Sequence, residues 1–273
     1  MSFTVNTNIG AMAALQTLSS TNRDYAVTQS RVNTGLNVAS TKDDSAAYSI
    51  AQTLRGDLGS LSAVSSSLKR AKSSTDVAIA GAEQISSLLN QMRTKAQEAA
   101  DAGMGAASRT AIAKDFDAIK EQITTIINSS EFNGTNLLKN AGGTVSAIQS
   151  TDTTADTLDV ANQDYNASVL TALGATFTDA ATAETMVNNL KTISANVNTS
   201  MSTLGSASRK IDGQLSFTSK LVDVIEGGIG NLVDADYAKE SAKLKALEVK
   251  QQLGLQALSI ANQAPQSILA LFR

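Results

Sequence analysis

IAQTLRGDLGSLSAVSSSLKRAKSSTDVAIAGAEQISSLLNQMRTKAQEA, residues 50–99, carries apolar side chains at an unbroken alternation of three- and four-residue steps. The positions are Ile50, Leu54, Asp57, Leu61, Val64, Leu68, Ala71, Thr75, Ala78, Ala82, Ile85, Leu89, Met92, Ala96 and Ala99, of which only Asp57 and Thr75 are polar. Sustained over about seven heptads, that spacing draws one narrow stripe along a helix, the pattern of a coiled-coil seam. Thr41 with Asp44 three residues on reads as the N-terminal capping arrangement, and Gly103 and Gly105 supply the stop. One helix of roughly sixty residues, about 85–90 Å long, is expected. Asp57 and Thr75 either set register or mark places where the seam meets solvent.

Two further stretches repeat the rhythm. From about Ser108, Ile112, Phe116, Ile119, Ile123 and Ile126 mark a shorter helix ending near Glu131-Phe132-Asn133-Gly134, and its short Gly-containing link makes it an antiparallel neighbour of the first. From about 182 to 230, Met186, Leu190, Ile193, Val197, Leu204, Ala207 and Ile211 mark a third, interrupted at Gly227-Gly228-Ile229-Gly230. Between them, residues 135–178 turn to Thr, Ser, Asp, Asn and Gly, with β-prone pieces at Val145–Ile148, Leu158–Val160 and Val169–Leu173. The fold class expected is mainly α: an elongated bundle of long coiled-coil-like helices with a small, mostly exposed β-rich insertion at about 132–181.

Both ends are striped as well. Leu15, Leu18, Tyr25 and Val32 fall at steps of three and seven. Near the C terminus Val233, Leu244 and Leu255 are eleven apart, as are Leu247, Leu258 and Leu269, a repeat that keeps a stripe on one side of a nearly straight helix. Chain ends are usually polar and loose, so these ten residues are read as an interface for burial. One stripe against one partner stripe barely offsets the entropy of ordering the backbone. The ends are therefore expected to be disordered in an isolated molecule and helical among many copies.

Composition removes several functions. A net charge of −3 and a pI near 5.1 leave no basic footprint for nucleic acid, and the few Tyr and Phe are not interleaved with Lys or Arg. The lack of Cys and His excludes disulfides and thiolate or imidazole metal sites without fixing a compartment. No apolar run reaches the eighteen or so residues of a membrane span. With Arg23 the first basic residue, no charged region precedes an apolar one, so a cleavable secretory signal is not expected.

Sharper readings of single motifs give way to plainer ones. Asp43-Asp44 could pair carboxylates for catalysis, but a helix starts there and capping with dipole complementation accounts for both. Gly227-Gly228-Ile229-Gly230 resembles a phosphate-cradling loop, yet no strand precedes it and no Lys-Ser or Lys-Thr follows within it, which favours a helix joint. Ser66-Ser67-Leu68-Lys69 lies mid-helix, away from any oxyanion-type glycine turn. The N-terminal stripe carries only Arg23 and Arg31, too few cations for a membrane-surface helix. No enzyme activity, cofactor or metal site is expected, and protein partners are preferred.

Taken in order, several short pieces resemble the bacterial flagellins. They are Asn6-Thr7-Asn8 with Ala14-Leu15 and Leu18, then Arg31-Val32-Asn33-Thr34-Gly35-Leu36, then Lys42-Asp43-Asp44-Ser45-Ala46 with Ile50-Ala51. Phe132-Asn133-Gly134, Ala235-Asp236-Tyr237-Ala238 and Ala261-Asn262-Gln263-Ala264-Pro265-Gln266 with Leu269 and Arg273 complete the set. The resemblance covers about residues 1–138 and 182–273, leaves 139–181 without a clear counterpart, and shows no large outer domains.

The resemblance implies that residues 1–42 and 233–273 form paired helices of an inner tube, and that 43–232 form a rod-like surrounding domain. It implies self-polymerisation into an extracellular filament for swimming, type III export without a cleaved signal, and contact with an export chaperone, the export apparatus, the filament cap and the hook-filament junction proteins. Many flagellins carry O-linked sugars on such exposed Ser and Thr. The surface sensed by the animal innate receptor is Leu-Gln-Arg-Val-Arg-Glu-Leu-like in flagellins that it recognises. Here Leu89-Asn90-Gln91-Met92-Arg93-Thr94-Lys95 stands in its place, so Gln91, Arg93, Thr94 and Lys95 mark a diverged surface and weak recognition. The competing readings are a hook-filament junction protein, which shares related terminal helices, and a secreted helical adhesin or polysaccharide-binding protein.

Overall fold

The computed structural model describes residues 7–152 and 157–271, with side chains through residue 263. Among the described residues there are five α-helices: α1 Ile9–Thr34, α2 Ser45–Ala99, α3 Ala106–Ser129, α4 Ala180–Val233 and α5 Tyr237–Leu271. Strands β1 Val145–Ala147 and β2 Leu158–Val160, and a π-helical turn at Asn166–Thr171, lie between α3 and α4. Contacts group the chain into two compact units, Met1–Gly56 with Val224–Arg273, and Asp57–Asp223.

In the second unit the seam is buried as its spacing predicts. Every seam position of α2 from Leu61 to Ala99 is buried, and so are Met186, Leu190, Ile193, Val197, Leu204, Ala207 and Ile211 of α4. Asp57 faces solvent. Thr75 is fully buried, and its hydroxyl donates to the Ala71 carbonyl at 2.8 Å, so no cross-helix partner is needed. Phe116, Ile123 and Ile127 of α3 close the core, with Phe116 edge-on to Phe177 at 5.3 Å.

Ion pairs fix the directions of the helices. Lys95 reaches Asp115 at 3.2 Å, and the buried Arg109 bonds the carbonyls of Ala99, Asp101 and Met104, so α3 folds back antiparallel on α2. The Arg109 guanidinium thereby caps the end of α2, where a cation complements the helix dipole. Lys72 of α2 holds Asp212 at 3.0 Å and Ser208 at 2.7 Å on α4, and the Asp212 hydrogen bond raises its pKa above the usual lysine value.

Four expectations are corrected. The cap of α2 is Asp44, not Thr41: its carboxylate accepts from the Ala46 and Ala47 amides, and the helix begins at Ser45. Gly227–Gly230 do not interrupt α4, which runs on to Val233. Burying Ile229 and Val233 contributes about 1.5–3 kcal/mol each, enough to offset about 1 kcal/mol lost per glycine. The break falls instead at Asp234–Asp236, where Asp236 caps α5 by accepting from the Lys239 amide.

Val169–Leu173 is not a strand. Asp164 accepts from the Ala167 amide and opens a helical turn that buries Val169 and Leu173, four residues apart, on one face. Nor is the insertion mostly exposed. β1 and β2 pair antiparallel with Val145 opposite Val160, and Ala147, Val160, Tyr165, Val169, Leu173 and Phe177 join the helical core. The buried Asn136 organises this segment, donating to the Ile127 carbonyl at 2.7 Å and accepting from the Leu138 and Lys139 amides.

Gly81 is where another chain segment comes closest to α2: an added Cβ would lie 2.9 Å from Leu138 and against Ser130. Gly81→Ala should lower the unfolding free energy in urea by about 1–3 kcal/mol. Gly59→Ala, with nothing within 4 Å, should raise it by about 0.5–1 kcal/mol.

Candidate self-assembly interface

The terminal helices pair within the first unit. Asn8 caps α1 by accepting from the Ala11 amide at 3.0 Å, and its own amide donates to the Ala261 carbonyl at 2.7 Å. Leu18 packs on Gly254, Gln251 donates to Asn22 at 2.8 Å, and Arg31 meets Glu240 at 3.6 Å. At the far end Gly35, in the left-handed conformation at φ 72°, closes α1, and Leu36 bridges Asp234. There the Val233 carbonyl accepts from the Asn37 and Val38 amides, and the Gly35 carbonyl from Ala235. Along this series one partner number falls as the other rises, so α1 and α5 run antiparallel in a single register.

The seam between them is narrow. On α1 the inward positions are Ala11, Ala14, Leu18, Thr21, Tyr25, Thr28 and Val32, and the most deeply buried ones, Thr21 and Thr28, are threonines. On α5 they are Glu240, Leu244, Leu247, Gln251, Gly254, Leu258 and Ala261. Both sets keep the three-and-four alternation. The larger apolar side chains Ile9, Met12, Leu15 and Val27 of α1, and Val249, Leu253, Leu255 and Ile260 of α5, face solvent.

The ten residues read from sequence therefore divide between two faces. Leu18, Tyr25, Val32, Leu244, Leu247 and Leu258 lie in the seam, with Val233 buried at its end. Leu15 and Leu255 point outward, 59% and 55% exposed. The side chain of Leu269 lies outside the described residues. The eleven-residue spacing crosses from one face to the other between Leu244 and Leu255, because the true seam repeats every seven and is partly filled by Glu240, Gln251 and Gly254.

Residues 5–142 match the family described as bacterial flagellin N-terminal helical region, and residues 187–272 match its C-terminal helical region. The chain belongs to the bacterial flagellin family. It is 42% identical to flagellin FljM of Caulobacter vibrioides over 269 residues, spanning 98% of both chains. The flagellin of Brucella melitensis is 37% identical over 290 residues, again spanning 98% of both. A crystal structure of Bacillus cereus flagellin superposes with a TM-score of 0.51 at 27% identity, over 55% of this chain and 86% of that one.

On α2 of this flagellin, Gln91 and Thr94 are exposed, while Arg93 and Lys95 are half-buried and Lys95 is held by Asp115. Among the described residues no group of three or more acidic side chains could hold a metal ion, and no helix is long and apolar enough to cross a membrane. Between α1 and α2, Asp43 accepts from the Ser40 hydroxyl and from the Ser40 and Ala39 amides, and the Ser40 bonds hold its pKa below the usual carboxylate value.

That depression has a sign. The charged carboxylate favours the folded loop above the ordinary carboxylate range, and the contribution is lost as pH falls through the lowered pKa. Asp43→Asn should therefore flatten the acid limb of a thermal-unfolding series and leave the neutral-pH transition cooperative. The tight place in the seam is Gly254, where an added Cβ would lie 3.2 Å from Leu18. Gly254→Val should slow seeded filament elongation, followed by turbidity, by about tenfold, while Gly254→Ala costs much less.

Proposed function

We infer that this flagellin is a structural subunit that polymerises into the extracellular bacterial flagellar filament and serves swimming motility. The observation that carries the inference is the set of large apolar side chains that the α1–α5 pair leaves exposed, Ile9, Met12, Leu15, Leu253, Leu255 and Ile260, although the two helices are already packed on each other. These side chains stand on more than one side of the two helices, and identical neighbours packed around the pair would cover them. In this reading residues 1–42 and 233–273 supply the helices of the inner tube, and 43–232 the remainder of the subunit. Leu15 and Leu255 contact other copies, whereas Leu18, Tyr25, Val32, Val233, Leu244, Leu247 and Leu258 hold the pair together, and Leu269 extends the same helix. Delivery runs through a type III export apparatus with a chaperone, and elongation proceeds beneath a cap on hook-filament junction proteins. The role is mechanical, without catalysis.

A junction protein would stop at a short collar, and an adhesin would bind a polysaccharide as a monomer. Purified chain seeded with filament fragments should instead give long filaments by electron microscopy. Leu15→Asp and Leu255→Asp should each slow elongation by about tenfold or more, since each removes about 1.5–3 kcal/mol of apolar burial, and should leave urea unfolding of the free subunit unchanged. Equal elongation by both variants would contradict the assignment of this face.

The surface containing Gln91, Arg93, Thr94 and Lys95 favours weak recognition by the innate receptor. Lys95 is engaged with Asp115, and Gln91 offers no charge where recognised flagellins offer an arginine. A cell reporter assay should give a response well below that of an enteric flagellin, and an equal response would refute this.

A further inference from the structure

The α1–α5 seam contains one ion pair, Arg31 with Glu240, and it is placed where charge is costly. Glu240 is 8% exposed, the neighbouring Thr28 is fully buried, and Glu240 Oε2, Arg31 Nε and Thr28 Oγ1 have no hydrogen-bond partner. A buried pair with unsatisfied atoms is a poor source of stability, and well-packed apolar residues would hold the helices at least as firmly. What such a layer supplies is discrimination.

The apolar part of the seam discriminates little, and its other polar contacts, Asn8 with the Ala261 carbonyl and Asn22 with Gln251, join uncharged groups that are easier to leave unpaired than an ion pair. Its three-and-four alternation repeats on both helices, and its contacts are made by Ala11, Ala14, Thr21, Gly254 and Ala261 beside a few leucines. Sliding α5 by one heptad would again set small side chains against leucines, as when Leu18 moves from Gly254 to Ala261. The same slide takes Arg31 from Glu240 to the level of Leu247 and carries Glu240 past the end of α1 at Thr34, so the pair is lost and neither charge gains a partner in its place. Short backbone contacts at Gly35–Val38 and Val233–Ala235 lie beside this layer and are broken by the same slide.

We propose that Arg31, Glu240 and Thr28 form a polar layer that selects the register of α1 against α5, acting as positioning residues for assembly rather than as a source of stability. The proposal rests on the filament reading and deepens it, because neighbouring copies can be seated correctly only if each pair presents its outward face in one register.

The chain has no cysteine, so introduced pairs report cleanly. Asn22→Cys with Gln251→Cys marks the observed register, and Gln29→Cys with Gln251→Cys marks a slide of one heptad. Filaments are oxidised, and cross-links within one chain are separated from those between chains by mass on a denaturing gel. With Arg31 and Glu240 intact, the first pair should cross-link at least about tenfold more than the second. In chains carrying Arg31→Leu with Glu240→Leu, the ratio should fall toward one while the helical signal of the filaments is kept. An unchanged ratio overturns the proposal, as does a loss of helical signal at an unchanged ratio.

If the double-leucine chains do not polymerise, the charge reversal decides. Arg31→Glu or Glu240→Arg alone should lose the 22–251 cross-link, and the two together should restore it. Failure of restoration overturns the proposal. Filament formation by the parent cysteine pair, with Arg31 and Glu240 in place, tests the filament reading separately.

Discussion

The structure depends on how little α1 and α5 bury against each other. A helix of 26 residues whose buried side chains are Thr21 and Thr28, with Leu18, Tyr25 and Val32 half-buried, gains modestly from its intramolecular partner. The second unit is the opposite case, since α2, α3 and α4 share a core from Val64 to Ile211 that closes the seams of α2 and α4, Phe116, Ile123 and Ile127 of α3, and the folded-in segment around Tyr165 to water. The same chain thus contains a unit that closes its own core and one that leaves several large apolar side chains, Leu15 and Leu255 among them, exposed.

The contrast follows from residue size at the seam. Leu, Ile, Met and Phe at the inward positions of the second unit hold helices together by area removed from water. At the inward positions of α1 and α5, Leu18, Tyr25, Val32, Leu244, Leu247 and Leu258 alternate with Ala, Thr, Gly, Gln and Glu, which remove less area, and Leu18 comes close against Gly254. Specificity there falls to polar groups, the Asn8 amide, the Asn22–Gln251 pair and the Arg31–Glu240 pair. Weak but specific pairing suits helices that are completed by their neighbours.

The fold was largely legible in the sequence where burial and period coincide. The seam of α2 from Leu61 and that of α4 from Met186 were readable position by position, because the three-and-four positions there are apolar but for Thr75, while Ser67, Ser74 and Ser208, buried beside the seams, were not. The order of motifs near both ends carried the family. Less legible were features whose signal is a single polar side chain: Asp164 opening the turn at Asn166, and Arg109 and Asn136, which bind carbonyls that hydropathy cannot weigh, whereas Asp44 at the start of α2 was readable as a cap. The glycines at 227–230 misled because tertiary burial of Ile229 and Val233 outweighs local propensity. The leucines of α5 misled for a related reason: an eleven-residue spacing of large residues conceals a seven-residue seam filled by Glu240, Gln251 and Gly254, and so merges an inward face with an outward one.

The central claim is that α1 and α5 owe their stability to other copies of the chain. Hydrogen exchange of backbone amides tests it most directly, compared residue by residue between dilute subunits and filaments. The account predicts that amides of 12–34 and 241–263 exchange at least about a hundredfold faster in the free subunit than in the filament, while those of 61–99 and 186–211 are slow in both. Equal, strong protection of the terminal helices in dilute subunits would show that the pair stands by itself, and would contradict the account.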